Sequence, residues 1–320
     1  MPLQLRVGAL RTIVGDCASD PPLGATARLL ATVRADDVVF GLGVLALRHG
    51  GGGELALAVA DADARTAIVA AIARADANVR VLDVPDAWPG VTAAADATIV
   101  SAAELVALAD EARGRASTRW VTIAGAVATA TVLAAAATET VDALVARAGG
   151  AVDADWVALA EGAPAGRLVA RDDAFAAIGA PSVLLVLPAR HELVRRMRTP
   201  VATWLARAAS ACEGCRACSD ACPTALQPAA LVATLAGGRD DGGAAAATMA
   251  ACSGCGICDA MCPAGLAPRA LAVATRDRLR AAGVRVEPAA ATLPGLDRAL
   301  LTARLGLAGY DRAPTLSATS

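Results

Sequence analysis

The sequence predicts three structural parts: an α/β domain at the N-terminus, a small β-rich module, and an α-helical domain built around a repeated cysteine run. Three observations predict it. Apolar strand-like runs alternate with helical periodicity across residues 27–84. Short apolar runs broken by glycine and proline turns fill residues 119–188. From residue 190 onward, helices open at prolines and stop at glycines on either side of two cysteine clusters. The expected boundaries are 1–116, 117–189, 190–286 and a C-terminal tail at 287–320.

The 320 residues are 56 % hydrophobic with a formal net charge of −2, a globular composition with enough chain for a sizeable core. Near neutrality argues against a nucleic-acid partner, since such chains are usually strongly basic. Lysine is absent, and all 29 positive charges are arginine. Residues 1–10 lack the charged start and apolar run of an export signal. The longest uncharged stretch, residues 120–138, has the length of a bilayer span. Its alanine, threonine and glycine content points instead to buried strands and turns, so no direct membrane span is expected and the expected location is cytoplasmic.

In the first part, residues 54–60 and 78–84 read as strands of βαβ units in a parallel sheet. Between them, residues 64–75 read as a helix with Ile68, Val69 and Ile72 on one face. Residues 50–53 form a glycine loop that lacks the Lys and Ser or Thr of a phosphate loop. Gly41, Gly43 and Ala46, with the acid Asp61 further along, mimic a dinucleotide-binding fingerprint. Residues 36–48 read more simply as one amphipathic helix ended by Gly50, with Gly41 a tolerated helix glycine.

In the second part, residues 121–126 and 183–187 read as strands and residues 141–148 as a short helix. In the third, Thr199-Pro200 reads as a helix start, with Thr199 as N-cap. That helix runs to about Ala211 and delivers Cys212. Pro228 opens a helix ending at Gly237-Gly238, and Pro268 opens one ending near Gly283. In the tail, residues 295–307 read as one short helix.

Eight of the nine cysteines fall in two runs: Cys212, Cys215, Cys218 and Cys222-Pro223, then Cys252, Cys255, Cys258 and Cys262-Pro263. Each run is C-x2-C-x2-C-x3-C-P, the spacing of bacterial two-cluster ferredoxins. Three thiolates at two-residue intervals wrap one iron–sulfide cube, and the cysteine before proline ligates the other. One [4Fe-4S] cluster is therefore expected on Cys212, Cys215, Cys218 and Cys262. A second is expected on Cys252, Cys255, Cys258 and Cys222. Disulfides need an oxidising compartment that no export signal supports. Two tetrahedral zinc sites are the other reading, since zinc also takes C-x2-C pairs; the third cysteine after two residues and the Cys-Pro ending favour iron–sulfur. The two runs form an internal repeat, with Cys252 standing in the second where Cys212 stands in the first. Gly214, Gly254 and Gly256 are expected to offer backbone N–H groups to the cluster sulfurs. Ile257 and Met261 are expected to shield the second cluster from water.

Cys17 stands apart and reads as a small buried apolar residue. His49 and His191, the only histidines, have no partner at metal or triad spacing and read as surface or capping residues. No catalytic residue is identified. Residues 190–216 hold Arg190, Arg195, Arg196, Arg198, Arg207 and Arg216 against Glu192 and Glu213. This is first a solvated face that offsets cluster charge, and second a docking patch for an acidic electron carrier.

The cysteine blocks, with Arg216 after Cys215 and the ending Cys262-Pro263-Ala-Gly-Leu266-Ala-Pro268-Arg269, resemble the C subunit of the Rnf electron-transport complex and the PduS-type cobalamin reductases. Weaker similarity covers Gly15-Asp16-Cys17-Ala18-Ser19-Asp20-Pro21-Pro22-Leu23 ("NGAECEPLL" in the family) and residues 81–90 ("LpDlYPxG"). The resemblance implies a Rossmann-like N-terminal domain akin to the complex I flavoprotein, an SLBB-like β module over 117–189, and a helical ferredoxin domain. It also implies FMN on an N-terminal glycine loop. Here that loop is absent, with Val7-Gly8-Ala9-Leu10 its remnant, and the "AECEP" acids reduce to Asp20. A flavin phosphate needs bare N–H groups in a concave turn, which Leu10, Arg11 and Thr12 do not supply.

The sequence therefore predicts an electron carrier that passes electrons through two [4Fe-4S] clusters to a redox protein partner. That partner is a flavoprotein, a ferredoxin, or a corrinoid-reducing or membrane complex. The alternatives are an FMN-dependent NADH oxidoreductase and a ligand-binding scaffold with structural clusters.

Overall fold

The computed structural model describes residues 12–51, 53–90, 97–116, 118–239, 243–284 and 295–317. The expected loop remnant at Val7 to Leu10 lies outside them.

The first unit runs β1 (Thr12–Asp16), α1 (Thr26–Val33), α2 (Ala35–Arg48), β2 (Glu54–Val59), α3 (Ala62–Ala75), β3 (Arg80–Asp83), β4 (Ala87–Trp88), β5 (Ala97–Ser101) and α4 (Ala102–Ala112). Strands β3, β2, β1 and β5 form one sheet in that order, every pairing parallel. Parallel strands need crossovers, and the helices supply them. Period-2 alternation sends Ile13, Leu57 and Val59 toward the helices, where they meet Leu30, Val38, Leu42, Ile68 and Leu105. Val14, Ala56 and Ala58 take the opposite face.

Helix α3 confirms the expected helix but not its face. Ala64, Ile68 and Ala71 are buried at helical spacing, whereas Val69 is exposed. Val69 follows Ile68 by one residue, about 100° around the axis. The fingerprint-like glycines lie inside α2, not on a strand-to-helix turn. Asp61 caps α3 by accepting from Asp63 N and Ala64 N. Gly41 is more than tolerated: a Cβ there would sit 2.0 Å from the backbone oxygen of Leu105 on α4. The buried carboxylates Asp37 and Asp110 are paired with Arg34 and Arg115, and Asp37 also with Arg113.

The second unit contains β6 (Arg119–Gly125), β7 (Thr131–Ala135), α5 (Val141–Arg147), β8 (Trp156–Ala160), β9 (Arg167–Val169) and β10 (Val183–Pro188). The long uncharged stretch thus becomes a buried hairpin. No helix among the described residues is long and apolar enough to cross a membrane. β6 and β10 pair in parallel at the centre, with antiparallel strands outside them. Leu144 and Phe175 pack on this sheet with Ile123 and Leu184. The two units are joined at α1, where Thr26 Oγ1 lies 2.8 Å from Thr122 Oγ1 and donates to Ser182 O.

The third unit is helical: α6 (Glu192–Arg198), α7 (Val201–Ala211), α8 (Ala217–Asp220), α9 (Pro228–Ala236), α10 (Gly243–Thr248), α11 (Ile257–Met261) and α12 (Pro268–Ala281). The expected cap shifts by one residue. Thr199 closes α6, its hydroxyl donating to Arg195 O, and Pro200 takes the N-cap position of α7. His191 caps α6 through Nδ1, which accepts from Leu193 N, and His49 is the C-cap of α2.

The last segment does not trail away. β11 (Leu296–Asp297) pairs with β4, α13 (Arg298–Arg304) buries Leu301, and β12 (Thr315–Leu316) adds a parallel edge to β7. Leu301, Leu305 and Leu307 share a core with Leu185 and Leu187 of β10 and Leu193 of α6. Those apolar residues have nowhere else to be buried, so the chain folds back.

Candidate metal centre

The two cysteine runs adopt one local structure twice. Cys212 is the C-cap of α7, and Cys252 ends the 3-10 turn Met249–Ala251. Each is followed by two left-handed residues, Gly214 (φ 67°) and Arg216 (φ 64°) in the first run, Gly254 (φ 76°) and Gly256 (φ 82°) in the second. This curl brings the third cysteine back on a short helix, Cys218 on α8 and Cys258 on α11. Successive left-handed turns also bare backbone N–H groups toward the concave side. Arg216 occupies the position that Gly256 fills in the second run, a strained conformation for a residue with a Cβ. Sequence reasoning missed it, although aligning the two runs on their cysteines would have shown it.

The helix starts repeat as well. Ser219 Oγ accepts from Ala229 N at 3.0 Å, and Asp259 Oδ1 accepts from Arg269 N at 2.7 Å. A polar side chain on each short helix thus supplies an acceptor for the proline-opened helix that follows. Pro228 and Pro268 occupy first-turn positions where a missing N–H costs nothing.

Two cavities result. One is lined by Cys212, Cys215, Cys218 and Cys262. The other is lined by Cys252, Cys255, Cys258 and Cys222. The cysteine before each proline thus turns into the cavity of the other run. Val232 and Leu266 add apolar lining to the first cavity. Met249, Leu226 and Ala272 line the second, and the expected shields Ile257 and Met261 do not. Ile257 is instead buried at the start of α11. Cys17 is buried in the first unit, away from both cavities.

Burial raises the thiol pKa values. Cys218 is pushed up to about 11, by desolvation first and then by Cys262, Cys212 and Cys215 beside it. Cys258 rises well above the ordinary thiol value, again chiefly by burial, with Asp259, Cys255, Cys252 and Cys218 adding to it. Cys252 and Cys255 are raised as well, with burial the largest cause. Four thiolates cannot share such a cavity without a compensating cation, so the donor set fits a positively charged metal core. Among the described residues no three His, Cys, Asp or Glu side chains converge to hold a single metal ion. A tetrahedral zinc ion would draw its four sulfurs to roughly 4 Å of one another.

The surroundings of the two cavities differ. Cys212 and Cys215 are exposed. The second run is covered by the rest of the molecule. Trp88 Nε1 donates to Cys255 O at 3.4 Å, and a Cβ on Gly256 would meet Pro164 at 2.7 Å. Arg276 Nη1 donates to Cys252 O at 3.1 Å. Arg269 Nε donates to Gly254 O at 2.8 Å and its Nη2 to Ala165 O at 2.5 Å. None of Trp88, Arg269 or Arg276 was visible as a site residue in sequence. Only the matched "PR" ending singled out Arg269.

The arginine-rich segment disperses. Arg195 pairs with Glu192, Arg190 with Asp153, and Arg207 lies over the Trp204 ring. In the segment that resembles "NGAECEPLL", Asp16 accepts from Ala18 N and Ser19 N, and Asp20 from Ala27 N and Arg28 N. Both carboxylates are raised in pKa, chiefly by desolvation; Asp16 holds the backbone of its own loop and Asp20 the first turn of α1. Both carboxylates are thus already engaged by the protein's own backbone.

The family model of the 4Fe-4S dicluster domain matches residues 211–267. The chain therefore carries a ferredoxin-type iron–sulfur domain. No curated protein matches it. Among solved structures, it is similar to a chain of NAD+-reducing [NiFe]-hydrogenase in the air-oxidized state, with TM-score 0.49 and 15 % identity over 94 % of this chain and 60 % of that one. The H2-reduced state gives TM-score 0.48 and 15 % identity over 93 % and 57 %. The chain spans about three-fifths of the length of those chains.

Proposed function

We propose that this chain is an electron-transfer protein that holds two [4Fe-4S] clusters and passes electrons to a redox protein partner. Cys212, Cys215, Cys218 and Cys262 would hold one cluster, and Cys252, Cys255, Cys258 and Cys222 the other. The observation that carries the reading is the crossed pair of cavities, each lined by three cysteines of one run and one of the other. A bound cluster supplies one-electron redox chemistry. The chain supplies the rest. Gly214, Gly254 and Gly256 present N–H groups, Met249, Leu226 and Ala272 exclude water from the second cavity, and Arg269 and Arg276 place positive charge beside it. The exposed edge at Cys212 and Cys215 is where an external partner comes nearest, while the second cavity faces inward.

The finer kinship is part of the same proposal: a relative of the Rnf C subunit and the PduS-type reductases that works as a carrier without flavin. The mixed sheet with α5 across it supports an SLBB-like module at 117–189. The cysteine blocks support the ferredoxin domain at 190–286.

The test is iron, acid-labile sulfide, zinc and flavin content on one anaerobically purified sample. About eight iron and eight sulfide per chain without flavin is expected. Two zinc without sulfide would overturn the redox reading, and one flavin per chain would replace the carrier by an NADH oxidoreductase.

A further inference from the structure

A groove of about 330 Å³ opens where the β8–β9 hairpin, α6, α7 and α12 meet. Its volume lies in the range of small-molecule sites. Three arginines, Arg167, Arg196 and Arg269, line it against a single carboxylate, Asp259. Leu168, Met197 and Trp204 give it an apolar side.

The arginines are not equally engaged. Arg167 donates through Nη2 to Ile178 O, and Arg269 is committed to Gly254 O and Ala165 O. Arg196 differs: its side chain is 16 % exposed, and its buried Nε has no hydrogen-bond partner. Its ion-pair partner one turn earlier on α6, Glu192 Oε1, is 3.8 Å away, beyond hydrogen-bond range. Trp204 is 3 % exposed, and its Nε1 also lacks a partner. Among the described residues three buried side-chain donors are left without a partner, and two of them belong to residues of this one groove. Buried donors are ordinarily satisfied, so a pair left open at a basic wall marks where an acceptor belongs.

We infer that this groove binds a small organic carboxylate, with its anionic end on Arg196 and its apolar body against Trp204 and Met197. Arg196 offers a planar fork that matches a carboxylate, and the surplus of arginine over Asp259 favours a negative ligand. The inference stands on the groove alone and not on the metal reading.

Calorimetric titration of the intact, metal-loaded protein with benzoate tests it, with inorganic phosphate and benzyl alcohol as comparisons. One benzoate per chain is expected, with phosphate and benzyl alcohol each binding at least about tenfold more weakly. Arg196→Gln is expected to weaken benzoate by about tenfold or more, the scale of a lost charge-assisted hydrogen bond. Arg167→Gln, on an exposed side chain, is expected to weaken it less and keeps the test open should the first variant not fold. Absence of benzoate binding, equal binding by folded Arg196→Gln, or phosphate binding as tightly as benzoate would each overturn the inference. Iron and sulfide content, read on the same samples, reports separately on the clusters.

Discussion

Arg269 reaches from the first turn of α12 to the carbonyl of Ala165, 2.5 Å away, while its Nε holds Gly254 O at 2.8 Å. One guanidinium thus ties the second cysteine run to the β module 104 residues earlier in the chain. Only Arg can do this, because the fork places two donors on two fixed acceptors.

Arg269→Gln is expected to lose both bonds and destabilise the protein by about 1–3 kcal/mol, since two part-buried carbonyls lose a charged donor. Iron bound in the second cavity should be released faster. Arg48→Gln, which breaks an exposed pair with Glu111, should cost under about 1 kcal/mol. Denaturant midpoints and chelator-driven iron release measure both. Equal effects from the two variants would refute the clamp.

The crossed cavities predict an effect that sequence order alone would not give. Cys262→Ala should remove the cluster expected on Cys212, Cys215 and Cys218, and Cys222→Ala the one expected on Cys252, Cys255 and Cys258. Each variant should retain about four iron of about eight. Cys17→Ser should retain all of it, because Cys17 is buried in the first unit. Iron analysis with paramagnetic resonance of the reduced protein separates the two clusters, and loss of the uncrossed partner instead would contradict the arrangement.

Two glycines on one helix should respond in opposite directions. Gly41→Ala places a methyl 2.0 Å from Leu105 O, a backbone atom that cannot step aside. The crossing of α2 and α4 must open, at about 1–3 kcal/mol or more. A Cβ at Gly43 meets nothing within 4 Å. There alanine should stabilise by up to about 1 kcal/mol through helix propensity. Thermal unfolding of the two variants decides it, and a loss from both would show that neither effect is local.

The pH dependence follows from Asp20, whose carboxyl is raised in pKa by burial. A group raised in the folded state contributes stability that is complete below its unfolded value, 3.8, and lost as pH rises through the folded one. Stability should therefore fall as pH climbs above 3.8, and Asp20→Asn should flatten that fall. Unfolding midpoints across this range check it. An unchanged slope in the variant would assign the dependence to other groups.

Local chemistry made much of this protein legible. Cys-x2-Cys-x2-Cys-x3-Cys-Pro, read twice, named the donor set, because ligand spacing is a property of a few consecutive residues. Pro228 and Pro268 marked helix starts for the same reason, and short apolar runs located β2, β3, β6 and β10. Contacts between distant elements were not legible. Gly41 reads as neutral until α4 lies across it, and Val69 reads as core until the neighbouring packing selects Ile68. The segment after Gly295 reads as a tail until β4, β7 and the core around Leu187 receive it.

The sequence by itself determined the elements and the ligand chemistry, since both depend on periodicity and spacing within one turn, strand or loop. Only the tertiary structure decided which face of the metal domain is open and which is covered. It alone brought Trp88, Arg269 and Arg276 to the second cysteine run, and Arg196 and Trp204 to a common groove. Those relations join residues far apart in the chain, and burial of the shared core fixes them rather than any local preference.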